Sequence, residues 1–342
     1  MAPKFRGRDD DWLDDEDASS SSKSKAPRTK KAKVEALPAA DANATVVEVF
    51  PNQCGVRLDL EGQILCSYRR SFVAGVGSDA YRERTPVAVG DRVIASRSSP
   101  DAGVIEGICE RKNFLARPAP GRDSGNVIHV LASNVDLLVI LVALHEPEFS
   151  PGLIDRFLIA AGAANIPTLL CVSKIDLRKG FEKPWQLYTD IGVDVMTESA
   201  KSGEGLDELR RRVSGKTVVF CGHSGVGKTS VLRRLAESEL GKVGAVNEGT
   251  GKGRHTTTGA VMVPGPQDSR WIDTPGVKEF GLLGVSPDKL ADYFPEMSAL
   301  SCRLERSCLH EGEVNCQATS LLRFGSYARI LASLRESEKE KT

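Results

Sequence analysis

The run Gly222–Thr229, read Gly-His-Ser-Gly-Val-Gly-Lys-Thr, constrains this chain more than any other feature. It fits the pattern G-x-x-x-x-G-K-[ST]. The apolar run Thr217–Cys221 precedes it and reads as a strand; Val231-Leu-Arg-Arg-Leu-Ala-Glu follows and reads as a helix. In a strand–loop–helix of this kind the backbone N–H groups of Gly222, His223, Ser224, Gly225, Val226 and Gly227 can turn toward a polyphosphate. The helix N-terminus favours the anion, and Lys228 adds positive charge. Thr229 puts a hydroxyl where Mg²⁺ accompanies a bound nucleotide. His223, inside the loop, is expected to face solvent.

Two more segments narrow the nucleotide. Trp271-Ile-Asp273-Thr-Pro-Gly276 reads as a short strand ending in D-x-x-G, where Asp273 can hold Mg²⁺ through water and the Gly276 N–H can sense a γ-phosphate. Upstream of the phosphate loop, Leu169-Leu-Cys-Val-Ser173-Lys174-Ile-Asp176 is an apolar strand ending in a near match to N-K-x-D. A carboxylate at Asp176 accepts both N1–H and N2–H₂ of guanine. Adenine offers neither donor and would leave that carboxylate unpaired, which argues against an ATPase or small-molecule kinase. Lys174 lies along the base plane in this reading, and Ser199-Ala200-Lys201 matches the S-A-K loop that closes over guanine. Ordinary GTPases run phosphate loop, switch I, D-x-x-G, N-K-x-D, S-A-K. Here the base-reading motifs come first, at 173–176 and 199–201, so the chain resembles a circularly permuted GTPase.

At 342 residues, two or three domains are expected. Lys and Arg together number 46 and so do Asp and Glu, so the molecule as a whole is no polycation. Its charges are segregated: Asp9 to Asp17 is acidic and Lys23 to Lys33 basic. No apolar run approaches the ~20 residues that span a bilayer. The polar N-terminus is unlike a secretory signal, which predicts a cytoplasmic protein without a membrane partner. No heptads are visible, which predicts a monomer.

Residues 1–42 are rich in Ser, Lys, Asp and Ala and read as a disordered charged tail. Residues 43–117 contain five short strand-like runs, beginning at Ala44, Cys54, Gln63, Asp91 and Gly103. They suggest a small all-β barrel of the OB type, a fold that often binds RNA. Arg69, Arg70, Arg82, Arg84, Arg92 and Arg97 make this segment basic. Residues 118–283 alternate strands and helices in a doubly wound α/β pattern. Val135–Ala143 is the kind of apolar run a strand buried on both faces requires. Gly251-Lys-Gly-Arg-His-Thr-Thr-Thr-Gly occupies the switch I position, and Thr258 is its expected Mg²⁺ ligand. Residues 284–342 read as mostly helical. They hold Cys302, Cys308, His310 and Cys316, three thiols and an imidazole that suit a closed, structural Zn²⁺ site. The other five cysteines fall on apolar stretches and read as small buried hydrophobes.

The permuted order, the barrel before it and the Cys₃His segment after it together resemble the ribosome small-subunit-dependent GTPase A (RsgA) family over residues 43–335. Val89-Gly-Asp-Arg-Val93, Arg111-Lys-Asn-x-Leu115-x-Arg117, Gly222 to Ser230, and Gly253-x-His255-Thr-Thr-Thr258 carry the resemblance with the motifs above. It implies an OB-fold, a permuted GTPase domain and a zinc-knuckle domain. It also implies GTP hydrolysis to GDP and phosphate, stimulated by the 30S subunit, with binding to 16S rRNA late in 30S maturation. Val277 stands where many GTPases have a water-orienting Gln. In the family the switch I histidine, here His255, is the substitute. This chain departs from the family pattern in three places: Ser173 replaces Asn or Thr, Thr229 replaces Ser, and five residues rather than four separate Cys302 from Cys308. The competing reading is an RNA-binding module whose nucleotide site only regulates.

Overall fold

The computed structural model describes residues 36–68, 82–119, 127–240, 260–273, 280–297, 300, 302, 308, 310–311, 313 and 316–339. His255, Thr258, Gly276, Arg69, Arg70 and residues 1–35 lie outside the described residues.

Strands β1 (Ala44–Phe50), β2 (Gln53–Leu58) and β3 (Gln63–Tyr68) form an antiparallel meander. β4 (Arg82–Glu83) then leaves it, and β5 (Arg92–Ser99) and β6 (Ala102–Ile108) return. β6 runs parallel to β3, β5 pairs with β6, and β5 closes on β1 through Ala44↔Val93 and Thr45↔Arg92. The result is a closed five-stranded barrel, which leaves no unpaired edge. Alternation builds its core: along β3, Ile64 and Cys66 are buried while Gln63, Leu65 and Ser67 face outward. Val46, Val56, Val93 and Ile105 complete the interior.

β7 (Phe114–Pro118) and β8 (Val127–Ser133) form a hairpin, and β4 adds to β8 in parallel to give a second sheet, β4-β8-β7. Arg111 fastens this sheet to the barrel. Its Nε and Nη2 donate to Asp91 at 2.6 and 2.8 Å and its Nη1 to Glu83 at 2.7 Å, all three side chains being buried or nearly so.

The third sheet has the order β11-β10-β9-β12-β14-β13, with β9 (Leu137–Ala143), β10 (Thr168–Ser173), β11 (Val195–Thr197), β12 (Thr217–Cys221), β13 (Val261–Pro264) and β14 (Arg270–Asp273). All neighbours are parallel except β13, which runs antiparallel to β14. Every residue of β9 is buried, and period-2 alternation divides them between two cores. Leu138, Ile140 and Val142 pack with Ile154, Phe157 and Ala161 of α1 (Pro151–Ala163) and Tyr188 of α2 (Gln186–Asp190). Leu137, Val139 and Leu141 pack with Leu206, Leu209 and Val213 of α3 (Leu206–Val213) and Val231 and Leu235 of α4 (Lys228–Leu240). The helix after β9 therefore covers one face and the helix after the adjacent β12 the other. The crevice beyond the carboxyl ends of two such strands is where open α/β sheets bind ligands. β13 also pairs with β1 at Glu48↔Val261, so the barrel and the α/β sheet share one hydrogen-bonded run of strands.

The C-terminal segment consists of 3₁₀ turns at Pro287–Tyr293, Pro295–Met297 and Gln317–Ser320, followed by α5 (Phe324–Lys339). Leu290, Phe294, Met297, Tyr327 and Leu331 form its core, and Ile159 of α1 enters it. Arg323, 4 % exposed, holds this segment to the α/β sheet. Its Nε donates to Asp155 of α1 at 2.9 Å and its Nη1 to Glu296 at 2.9 Å, while its guanidinium lies 4.5 Å from the Phe294 ring centre. Among the described residues no helix is long and apolar enough to cross a membrane.

Candidate functional site

The phosphate loop fills the crevice between β9 and β12. β12 ends at Cys221, and Gly222 passes so close to β9 that a Cβ there would lie 2.3 Å from the Leu141 carbonyl oxygen; only glycine fits. Gly227, with φ +93°, makes the left-handed turn into α4. Between them Val226 is driven into the core, while His223, Ser224 and Gly225 are exposed. His223 Nδ1 sits 2.8 Å from the Ser224 carbonyl oxygen, so its polar edge turns back on the loop itself. Lys228 and the exposed Thr229 and Ser230 form the first turn of α4.

Asp273 ends β14, the other neighbour of β12. Lys228 Nζ lies 3.6 Å from Asp273 Oδ1, and that oxygen is buried without a hydrogen-bond partner. An orphaned carboxylate oxygen beside Lys228, with a hydroxyl on the next residue, Thr229, supplies hard-oxygen donors of the kind that suit Mg²⁺ or its water shell.

The base-reading motif lies on the other side of β9. Lys174, in the left-handed region at φ +57°, turns the chain from β10 into the 3₁₀ turn Ile175–Leu177. The Ile175 N–H donates to the Glu198 carbonyl oxygen at 3.2 Å, tying this turn to the loop after β11. In that loop Ser199 Oγ donates to Asp176 Oδ1 at 2.6 Å and accepts the Ser202 N–H at 3.1 Å. Lys201 Nζ lies 3.9 Å from Asp176 Oδ2. Each carboxylate oxygen has two acceptor sites, so Asp176 stays able to accept from a base while Ser199 orients it. The Lys174 ammonium donates to the Glu146 carbonyl oxygen in the loop after β9. Arg234 of α4 donates to the Ala200 carbonyl oxygen at 3.2 Å, so the phosphate-loop helix also supports the S-A-K loop.

Ser173 is turned inward. Its hydroxyl lies 2.6 Å from the Val226 carbonyl oxygen and 3.2 Å from that of Val142, and its one proton goes to the nearer. The residue that departs from the base motif thus fastens that motif to the phosphate loop.

In the C-terminal segment Cys302, Cys308 and Cys316 Sγ lie 3.8, 3.5 and 3.6 Å from His310 Nδ1, and the four ligand atoms fall within 4.8 Å of one another. With the metal–ligand distances of a Cys₃His zinc site, the S···N edge of a tetrahedron is about 3.6 Å. The cluster therefore fits a metal ion. Desolvation and the neighbouring thiols push the Cys308 thiol up to about 11. A divalent cation reverses that balance by binding the thiolates.

The family model for the RsgA GTPase matches residues 108–283. The chain is 35% identical over 268 residues to the small ribosomal subunit biogenesis GTPase RsgA of Flavobacterium johnsoniae, covering 73% of this chain and 82% of that one. It is 33% identical over 294 residues to the protein of the same name from Bacteroides fragilis, covering 82% and 93%. This chain belongs to the RsgA GTPase family. Among solved structures, YjeQ from Thermotoga maritima superposes with a TM-score of 0.62 at 25% identity, over 86% of this chain and 98% of that one. YloQ, described as a circularly permuted GTPase, shares the fold with a TM-score of 0.60 at 24% identity, over 86% and 95%. As an RsgA-family member the protein is a GTP hydrolase.

One group in this RsgA-family site escaped the motifs. Glu198, the residue before Ser199, is fully buried, and neither carboxyl oxygen has a hydrogen-bond partner. Burial, and then the nearby Asp176 charge, push it up to about 7. A lone glutamate before an S-A-K match gives no sequence signal that it points inward.

Proposed function

We propose that this protein is a GTPase of small-ribosomal-subunit biogenesis, binding the 30S subunit and its 16S rRNA and hydrolysing GTP to GDP and phosphate with 30S stimulation. The reading assigns RNA contact to the segment 43–117 and its surroundings, nucleotide turnover to 118–283, and a structural Zn²⁺ knuckle to 284–342. It works in the cytoplasm as a monomer. The ribosomal partner follows from the small ribosomal subunit biogenesis GTPases that this chain matches over most of their length.

The observation that carries the nucleotide assignment is the Ser199–Asp176 hydrogen bond at 2.6 Å. It holds a carboxylate beyond the carboxyl end of β10, at the same end of the sheet as the phosphate loop that follows β12. In this reading Asp176 accepts from N1–H and N2–H₂ of guanine, Lys174 flanks the base, and Ser199, Ala200 and Lys201 close over it. The N–H groups of residues 222–230 and the Lys228 ammonium meet the phosphates. Thr229, Thr258 and Asp273 would hold Mg²⁺, which when bound would supply positive charge to the phosphates; Gly276 is placed by the D-x-x-G motif to sense the γ-phosphate. Phosphoryl transfer to water is chiefly a matter of placement and charge stabilisation. His255 orients the attacking water, since Val277 has no polar group.

The test is GTP and ATP turnover by purified protein, with and without 30S subunits, beside a His255→Ala variant. The expected result is GTP-selective turnover that 30S accelerates and the variant loses. Turnover indifferent to 30S would remove the ribosome as activator; preference for ATP would remove the role given to Asp176.

A further inference from the structure

An open cleft of about 600 Å³ lies between the first turn of α1, one face of α5 and the phosphate loop. Its walls carry one sign of charge with a single exception. Arg156 and Arg329 line it, and the exposed Glu148 is the one carboxylate among the described residues that does.

α1 enters the cleft with its positive end open. Pro151 has no N–H, the Ser150 side chain makes no cap, and the first turn holds no acidic residue. The first helical bond runs from the Ile154 N–H to the Ser150 carbonyl oxygen at 3.3 Å. The Gly152 and Leu153 N–H groups therefore have no acceptor among the described residues.

α5 meets this end with donors of its own. Ser326 and Arg329 stand one turn apart and share a face. A Cβ built on Gly152 would lie 3.6 Å from Arg329 Nη2 and 3.9 Å from Ser326 Oγ, so both side chains reach the first turn of α1. Ser326 is 6 % exposed, and its Oγ is buried without a hydrogen-bond partner. Arg329 is exposed and pairs with no carboxylate among the described residues. A guanidinium over the positive end of a helix is the wrong sign for that place, and a buried hydroxyl with nothing to bond adds a second cost. One anion seated between the two helices removes both. It accepts from the backbone N–H groups, the hydroxyl and the guanidinium fork, and it screens the cation from the helix end.

We propose that this cleft is a phosphate-binding site separate from the nucleotide site, where the Gly152 and Leu153 N–H groups, Ser326 Oγ and Arg329 hold one phosphate group. A tetrahedral dianion offers acceptors in the several directions from which these donors come, and its charge matches the two guanidiniums. His223 also lines the cleft, so the loop that releases phosphate on GTP hydrolysis borders it. The phosphate is either that free product or the phosphate group of a small ester, for which the cleft has room. Bound there, it bridges α1 and α5 and adds to the joint made by Arg323. The assignment is independent of the ribosomal partner.

The experiment is calorimetric titration of the full chain with inorganic phosphate at constant ionic strength. A non-hydrolysable GTP analogue is present at saturation, so the phosphate positions of the nucleotide site are already filled. The parent should bind one phosphate. Arg329→Ala should weaken that binding by about ten- to a hundredfold, as loss of a charged hydrogen bond does, and Ser326→Ala by about two- to tenfold. Arg329→Lys, which keeps the charge without the fork, should fall between Arg329→Ala and the parent. Neither residue belongs to the nucleotide motifs, and the Ser326 hydroxyl has no partner to lose. GTP turnover and melting temperature without added phosphate should therefore match the parent's. Ribose 5-phosphate, as a second probe, separates the two sources: tighter binding than inorganic phosphate assigns the site to an ester, weaker binding to the free product. Binding seen only without the analogue would put the anion in the nucleotide site and overturn the proposal. So would phosphate affinity that both alanine variants leave unchanged.

Discussion

The nucleotide site and the Cys₃His cluster are built in opposite ways. The first gathers segments at 173–176, 198–201, 222–230 and 273, and a six-stranded sheet with a core on each face places them. The second takes four side chains from one stretch, Cys302 to Cys316, with short 3₁₀ turns around it. A site placed by a sheet keeps its geometry without its ligand. A site placed by a few turns needs the ion to hold it together.

The largest expected effect tests that contrast directly. Cys316→Ser, or removal of the metal by a chelator, should unfold the segment around residues 302–320, since structural zinc supplies on the order of 10 kcal/mol in small domains. Hydrogen exchange should show lost protection there while β9 to β14 stay protected and GTP still binds. Loss of protection in both places would mean the two regions fold as one unit.

The second prediction concerns the joint between them. Arg323→Ala leaves the buried Asp155 and the partly buried Glu296 without their cation, and breaking such a group costs about 3–5 kcal/mol. The variant's urea midpoint should fall accordingly, with the metal still bound. A drop below about 1 kcal/mol would show that apolar packing of Ile159 against the C-terminal core is the stronger link.

Inside the sheet-built site, Asp176→Asn should weaken GTP binding by about a hundredfold, two charge-assisted hydrogen bonds being worth about 3 kcal/mol together. It should do so without moving the melting temperature by more than a few degrees. Isothermal titration beside a melting curve separates the two effects.

The smallest effect is a pH dependence. Glu198 binds its proton more tightly in the folded chain, at about 7, than at the ordinary 4.5. Its contribution to stability is therefore fully present below about pH 4.5 and is lost as pH rises through 7. Glu198→Gln should remove that loss, becoming up to about 3 kcal/mol more stable than the parent above pH 8 and converging with it near pH 5. Parallel stability curves for the two proteins would mean that Glu198 is solvated.

Local pattern made the barrel strands and the phosphate loop legible in sequence. Alternating apolar residues mark β3, unbroken ones mark β9, and glycines mark the turns beside Leu141 and into α4. What stayed hidden was the choice of partner over long separations. Nothing near Ser173 announces that its hydroxyl goes to the Val226 carbonyl, and nothing near Arg323 points to Asp155, 168 residues away. Six of the nine arginines of residues 43–117, Arg69, Arg70, Arg82, Arg84, Arg92 and Arg97, make that segment read as basic. Asp59 and Glu61 neutralise two of them, and β4 carries another two onto a different sheet. Charge can be counted from a sequence; which charges cancel depends on register.

The order of strands has a mechanical meaning. The chain comes from the barrel into the α/β sheet through β9 and leaves it for the C-terminal segment through β14. Those two strands flank β12 on either side. Load that enters along the chain through β9 and leaves through β14 crosses the hydrogen bonds of the strand that bears the phosphate loop, in shear, beside a second route through the β1–β13 pairing and the Arg323 joint. In an unpermuted chain the free ends would hang from β12 itself and from the helix after β11, and tension on them would bypass that clamp.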